Sequence, residues 1–234
     1  MKVEDLKNYG KVFADWTDAE SKRIGSAYSK AIMKELGLVR SLRWMWKIKR
    51  EARRMSHHDW TVLRECMTNQ KYMKRSIGGI AAMKAMSDML GMEKAAELAT
   101  AMVDREGYDA WASVSPTADD YKQCGDAFLA FRDYLKAQFA AEARIGGCQT
   151  VITEENDNVF ALRFDRCTLL EIAKAFGNPY LAYPMHCHTD EVYYPRLMKQ
   201  LGWKFSCTSK AVGAPECTWR IERLSIPTGA NDAK

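Results

Sequence analysis

An α+β fold is expected from this sequence: a helical N-terminal region packed on a small C-terminal β-β-α-α-β-β module with an antiparallel or mixed sheet. Three observations point to it. Apolar residues recur at helical spacing through most of residues 1–146. The period changes to strand-like alternation at Cys148. Two pairs of alternating segments then bracket two further helical stretches, so strands and helices share one short region. The module is placed at residues 147–226, and it forms one compact unit with the helical region.

Residues 1–37 read as helical, with Asp18 to Leu36 rich in Ala, Lys, Glu and Leu, Thr17 or Asp18 as a cap and Gly37 as a stop. Leu38 to Met55 carries two faces, an apolar one of Leu42, Met45, Ala52 and Met55, and a basic one of Arg40, Arg43, Lys47, Arg50 and Arg54. Ser56 or Asp59 starts the next helix, and this reading is preferred over a metal site at His57-His58. Adjacent histidines point about 100° apart on a helix and rarely share an ion. Helices follow over 59–75 and 80–104, broken near Gly78-Gly79 and Gly91. Met83, Met86, Met89 and Met92 fall every third residue, a pattern that fills a core. Gly107 to Pro116 reads as a loop. Tyr121, Cys124, Phe128, Phe131, Leu135 and Phe139 then mark a long helix ending near Gly146-Gly147.

Cys148–Thr153 and Val159–Phe164 alternate around a polar turn and read as a hairpin. A helix spans Cys167 to Phe176 and stops at Gly177-Asn178-Pro179, and a second runs from about residue 190 to 201. Trp203–Val212 and Cys217–Leu224 are the last strands, and Ile226–Lys234 is a polar tail.

Composition bounds the function. The chain has 234 residues, 47% hydrophobic and 28% charged, the balance of an ordinary globular protein. Its start, Met1-Lys2-Val3-Glu4-Asp5-Leu6, has no apolar signal region, and no run reaches the about 18 apolar residues of a membrane span. A cytoplasmic location is expected. Seven cysteines without a CxxC spacing then read as free thiols. The net charge of +5 is local: residues 40–54 hold seven Lys/Arg and one Glu. A basic face of this kind is most simply the solvated side of a packing helix, with a homo-oligomer contact or an anionic partner as alternatives. No nucleic-acid-binding motif accompanies it, so no specific nucleic acid is expected.

The chemistry concentrates in His186-Cys187-His188-Thr189-Asp190, at a loop-to-helix junction. A thiol attacks as thiolate, and histidine or a helix N-terminus lowers its pKa. Cys187 is therefore the candidate nucleophile, with Asp190, His188 and His186 as proton-handling groups. The plainer reading makes Cys187 a buried thiol and Asp190 a helix cap. A divalent metal held by His186 and His188, completed by Cys167 or Cys217, is the alternative use of the cluster. Otherwise no cofactor is expected. Cys167 starts a helix and Cys217 a strand, so both can converge on Cys187. Cys66, Cys124, Cys148 and Cys207 lack polar neighbours and read as bystanders.

Cys167 before its helix, Gly177 and Pro179, Cys187 with Asp190 three residues on, and Gly213 with Cys217 before an apolar strand resemble the L-2-amino-thiazoline-4-carboxylic acid hydrolase-like family. The resemblance covers roughly residues 147–224. It implies hydrolysis of a carbon–nitrogen bond in a small cyclic amidine or thioimidate, with Cys187 attacking and Asp190 and a histidine exchanging protons. Cys167, Cys217 and Tyr193 would line the substrate, and Arg163, Arg166 or Arg220 would hold its carboxylate. The module also resembles the small-molecule-binding domain named after vinyl reductase, which implies ligand binding or sensing without turnover.

Overall fold

The computed structural model describes residues 1–224, with all of their side chains except those of Glu65 and Cys66. The fold is α+β. Eight α-helices are described: α1 (Asp18–Ser56), α2 (Thr61–Cys66), α3 (Gln70–Leu90), α4 (Met92–Ala112), α5 (Ala118–Lys122), α6 (Ala127–Arg144), α7 (Thr168–Ala175) and α8 (His188–Leu201). Four strands, β1 (Cys148–Glu155), β2 (Val159–Cys167), β3 (Trp203–Thr208) and β4 (Cys217–Arg223), form a sheet of order β1-β2-β4-β3. Every neighbouring pair is antiparallel, which resolves the expectation of an antiparallel or mixed sheet. The expected tail at 226–234 lies outside the described residues.

Local chemistry sets the helix ends. Thr17 accepts a hydrogen bond from the Glu20 N–H while the Glu20 carboxylate accepts one from the Thr17 N–H, a reciprocal cap at the start of α1. As expected, the first helical segment of α1 ends at Gly37, whose φ of +72° and ψ of 171° are non-helical and open to glycine, and a second segment begins at Leu38. Residues 1–17 form two short 3-10 turns instead of helix. The long helix expected through 121–139 is interrupted at Gly125 (φ +89°), and Asp126 restarts it as α6 by accepting from Phe128 and Leu129 N–H.

Two other glycines invited breaks that do not occur. Gly79 lies inside α3, at a close approach to the module, and Gly107 lies inside α4. A Cβ on Gly79 would sit 2.5 Å from His186 Nε2, whereas one on Gly107 would meet Val103 of its own helix at 3.1 Å, with Val192 at an ordinary 3.8 Å. Tertiary packing outweighs the roughly 1 kcal/mol helix cost of glycine at Gly79.

The core has two parts, and both join the helices to the module. In the first, Ile32, Met55, Ile80, Met83 and Met86 pack with Ile172, Leu181 and Val192. Met83 and Met86 are fully buried, as the every-third-residue row predicts, while Met89 and Met92 are half-buried. In the second, Phe128, Phe131 and Leu135 of α6 meet Phe160, Leu162 and Ile221 of the sheet and Leu197 and Met198 of α8. This helix-on-sheet layer presses α8 against α4 and β3, and so fixes the segment that carries the chemistry.

Candidate functional site

The segment Tyr183–Cys187 makes a wide turn that leads directly into α8, with Cys187 as the residue before its first turn. Cys167 holds the equivalent place one layer away, ending β2 and preceding α7. Cys217 opens β4, and its sulfur accepts the Lys210 N–H at 3.1 Å from the short turn Lys210–Val212. The expected convergence is present. Charge on Cys167, Asp190 or Cys217 acts on the Cys187 thiol, and charge on Cys167 acts on Asp190.

The electrostatics separate these thiols. Burial pushes Cys187 far above the ordinary thiol range, and the neighbouring Cys167, Asp190 and Cys217 add to that, against a smaller opposing hydrogen bond with Ser209. The starting dipole of α8 does not compensate, so Cys187 is a neutral thiol. Cys167 behaves oppositely. A hydrogen bond from Cys148 holds it below the ordinary range, outweighing burial, and the Leu170 and Leu169 N–H groups at the start of α7 add to the effect. The thiolate character expected at Cys187 is therefore found at Cys167.

Cys148, read from sequence as a bystander, is the partner that does this. It lies directly opposite Cys167 in the β1–β2 ladder, and sharing a proton with Cys167 drives its own pKa well up. The correction has a simple origin: cross-strand neighbours are set by register, which local sequence company does not show. Cys207 is also drawn in, its thiol pushed up to about 12 by burial, with Glu191, Asp190 and Cys217 contributing. Cys124 stays outside, its thiol donating to the Asp120 carbonyl at 3.5 Å. The Cys66 side chain lies outside the described residues.

A second buried pair sits behind the thiols. The Tyr72 hydroxyl is 3.9 Å from Cys148 Sγ. Glu142 lies beside Tyr72, and burial raises its carboxyl to about 7, with Tyr72 opposing the rise. Gly147 makes the space: a Cβ there would lie 2.5 Å from Glu142 Oε2 and 3.1 Å from the Tyr72 ring. Glu142, Tyr72, Cys148 and Cys167 thus form a line of proton-bearing groups. Neither Tyr72 nor Glu142 belongs to the module's motif, and the sequence signal for Glu142 was only a carboxylate on the buried side of a core helix.

The two histidines part company. His186 is buried against Gly79, and burial lowers it to about 4, leaving a neutral ring. Its Nε2 has no hydrogen-bond partner among the described residues. His188 faces the other way, with Nε2 2.8 Å from Asp104 of α4 and Nδ1 3.1 Å from Glu191. Glu191 in turn accepts from the Tyr183 hydroxyl at 2.7 Å. His188 ties α8 to α4, and His186 fills a notch in α3. They do not converge on one point, and no group of three or more His, Cys, Asp or Glu among the described residues is arranged to hold a metal ion.

Asp190 points into an enclosed cavity of about 40 Å³, lined also by Trp16, Trp111, Ser115, Thr189 and Tyr193. None of the hydrogen bonds among the described residues reaches its carboxyl group. Burial raises its pKa well above the ordinary aspartate value, and Cys167 and Glu191 add to that, which favours the neutral acid. The indole N–H groups of Trp16 and Trp111 have no partner among the described residues either. The cavity is thus lined by free donors with room for about three water molecules. Tyr193 packs on Tyr108, ring centroids 5.7 Å apart, and forms part of the wall.

Of the three arginines considered for a substrate carboxylate, two are occupied. Arg163 pairs with Asp165 at 2.8 Å, and Arg220 with Glu154 at 2.5 Å and Glu222 at 2.7 Å. Arg166 Nη2 is buried with no hydrogen-bond partner among the described residues.

At His57-His58 the plainer reading stands in modified form. His57 ends α1, and His58 packs edge-on against Trp60 at 4.7 Å. Asp59 accepts the Thr61 N–H at the start of α2. Among the described residues, no helix is long and apolar enough to cross a membrane.

Compared with models of protein families, with curated proteins and with solved structures, the chain has no match in any of the three.

Proposed function

We propose that this chain is a thiol-dependent hydrolase that opens a small cyclic amidine or thiazoline-type ring at a carbon–nitrogen bond, with Cys167 as nucleophile and Asp190 as acid. One observation carries the reading. Two groups in electrostatic contact have their proton affinities driven in opposite directions, Cys167 toward thiolate and Asp190 toward neutral acid. That division is what attack on an amidine carbon needs. The Cys167 sulfur bonds to the ring carbon, and the Asp190 proton goes to the ring nitrogen as its bond to that carbon breaks. Water then displaces the sulfur, and a proton returns to Asp190. The unpaired Arg166 guanidinium supplies a counter-charge for a substrate carboxylate. Residue order and spacing, which resemble the amino-thiazoline-carboxylate hydrolase-like family, support the same substrate class. Cys187 is assigned a wall position, in line with its buried neutral thiol. Free thiols at Cys148 and Cys167 fit a reducing, cytoplasmic setting.

Binding or sensing without turnover is the second reading, and the unpaired Trp16 and Trp111 indole N–H groups around the cavity beside Asp190 favour it, as donors to a bound group. At about 40 Å³ the cavity is well below the roughly 300–1,000 Å³ of ordinary ligand pockets, so under either reading the ligand has to widen it. Incubation with 2-amino-thiazoline-4-carboxylate, followed by chromatography of the ring-opened product, separates the two. Turnover that disappears in Cys167→Ser and survives in Cys187→Ser is the expected result. Turnover lost in Cys187→Ser alone would return the nucleophile to Cys187. Saturable binding with no product would leave the sensory reading.

A further inference from the structure

The outward face of the second half of α1 has a chemistry of its own. From Leu38 on, the helix turns Trp44 and Met55 inward, and the Trp44 indole N–H donates to the Ala82 carbonyl at 3.1 Å. The opposite side leaves Leu38, Val39, Leu42, Met45 and Trp46 in solvent, with Val39 80% and Trp46 60% exposed. At helical spacing, positions 39, 42 and 46 share one stripe. Arg40, Arg43, Lys47 and Arg50 run along its flank, and the Arg50 guanidinium lies over the Trp46 ring at 5.3 Å. The single carboxylate in this stretch, Glu51, is buried and already paired with Arg50 at 3.1 Å and Arg54 at 2.8 Å. The face is therefore apolar at its centre, cationic at its rim and free of exposed acid.

We propose that this face of α1 binds an anionic membrane surface, with the helix lying in the plane of the interface. Val39, Leu42 and Trp46 would enter the headgroup–acyl boundary, and the basic rim would meet lipid phosphates. An amphipathic helix with Lys/Arg on one side and Trp and Leu on the other has the two attractions such binding combines. Indole rings also favour the level of the headgroups. A second copy of the chain fits poorly, because a two-fold contact would set this strongly positive stretch against itself without acid to neutralise it. Nucleic acid would match the charge and leave the exposed apolar side chains without a role. The Trp44 anchor and the Glu51 pairs hold the helix in place, so the face is presented ready-formed.

Flotation of the full chain with phosphatidylcholine vesicles, with and without phosphatidylserine, tests this. Association is expected with the anionic vesicles only, and it should fall steeply as salt rises. Leu42→Ser/Trp46→Ser should abolish it with an unchanged melting temperature, since both side chains are exposed. Arg43→Gln and Lys47→Gln should each weaken it about fivefold. The proposal is overturned by any of three results. These are no association at low salt, association that survives Leu42→Ser/Trp46→Ser, and a dimer in gel filtration that these substitutions dissolve while vesicles bind nothing.

Discussion

Cys148 and Cys167 face each other across the β1–β2 ladder, and one proton serves both sulfurs. The pairing determines where the thiolate resides. Cys167 has backbone N–H groups at the start of α7 to hold negative charge, and Cys148 has only the Tyr72 hydroxyl and the Glu142 carboxyl behind it.

Removing Cys148 should therefore raise the Cys167 pKa, because its largest stabilising contact is lost. In Cys148→Ala, alkylation of Cys167 by iodoacetamide at pH 7 is expected to slow about fivefold, the effect of one pKa unit on a thiol that is half ionised at that pH. Peptide mapping by mass spectrometry gives the rate at each cysteine separately. Equal rates in the two proteins would remove Cys148 from any tuning role.

The notch at Gly79 makes a second prediction. Gly79→Ala puts a methyl group 2.5 Å from His186 Nε2 inside a packed interface, and is expected to cost about 1–3 kcal/mol. The cost should fall when His186 is also shortened to alanine, so the double variant is more stable than the sum of the single effects. Urea denaturation of the four proteins reads this coupling. Simple additivity would mean that the ring does not occupy the notch.

His186 also makes the fold acid-sensitive. Its pKa is lowered to about 4 by burial, from the ordinary value of about 6.5. Between those values the unfolded chain binds a proton that the folded chain refuses, so stability falls as pH drops through this window. The loss should reach up to about 3 kcal/mol near pH 4, and His186→Gln should remove that part of the profile. Parallel pH–stability curves for the two proteins would refute the assignment.

Much of this organisation is legible in the chain. The change of period at Cys148 marks the first strand, and the Cys167–Cys187–Cys217 order anticipates that these three residues stand at element ends close enough to act on one another. The helix break expected at Gly78-Gly79 fails because Gly79 admits His186, a contact made by a residue 107 positions further along the chain. The loop expected from Gly107 is likewise displaced, since α4 runs on to Ala112. The activation expected of the Cys187 thiol is absent for a related reason. Flanking histidines suggest activation in sequence, yet His186 turns into α3 and His188 toward Asp104, so neither serves the thiol. Burial then decides its protonation. The role of Cys148 depends on strand register, which no local pattern reveals.

Asp190 supplies the last prediction, and its sign is opposite to that of His186. Burial raises its folded pKa well above the ordinary aspartate value of 3.8. Once the pH exceeds that ordinary value, the unfolded chain releases a proton that the folded chain retains. Stability must then decline as pH rises, by up to about 1.4 kcal/mol per pH unit, until the folded group itself ionises. Asp190→Asn keeps the shape and cannot ionise, so it should be more stable than the wild type by a margin that widens with pH over this window. Glu142 and His186 are common to both proteins and cancel in the difference. The same variant should lose ring opening while its Cys167 remains reactive toward iodoacetamide, because the acid is removed and the nucleophile is not. A stability difference that stays constant with pH would mean that Asp190 is already ionised in the fold, and a carboxylate there has no proton to give the ring nitrogen.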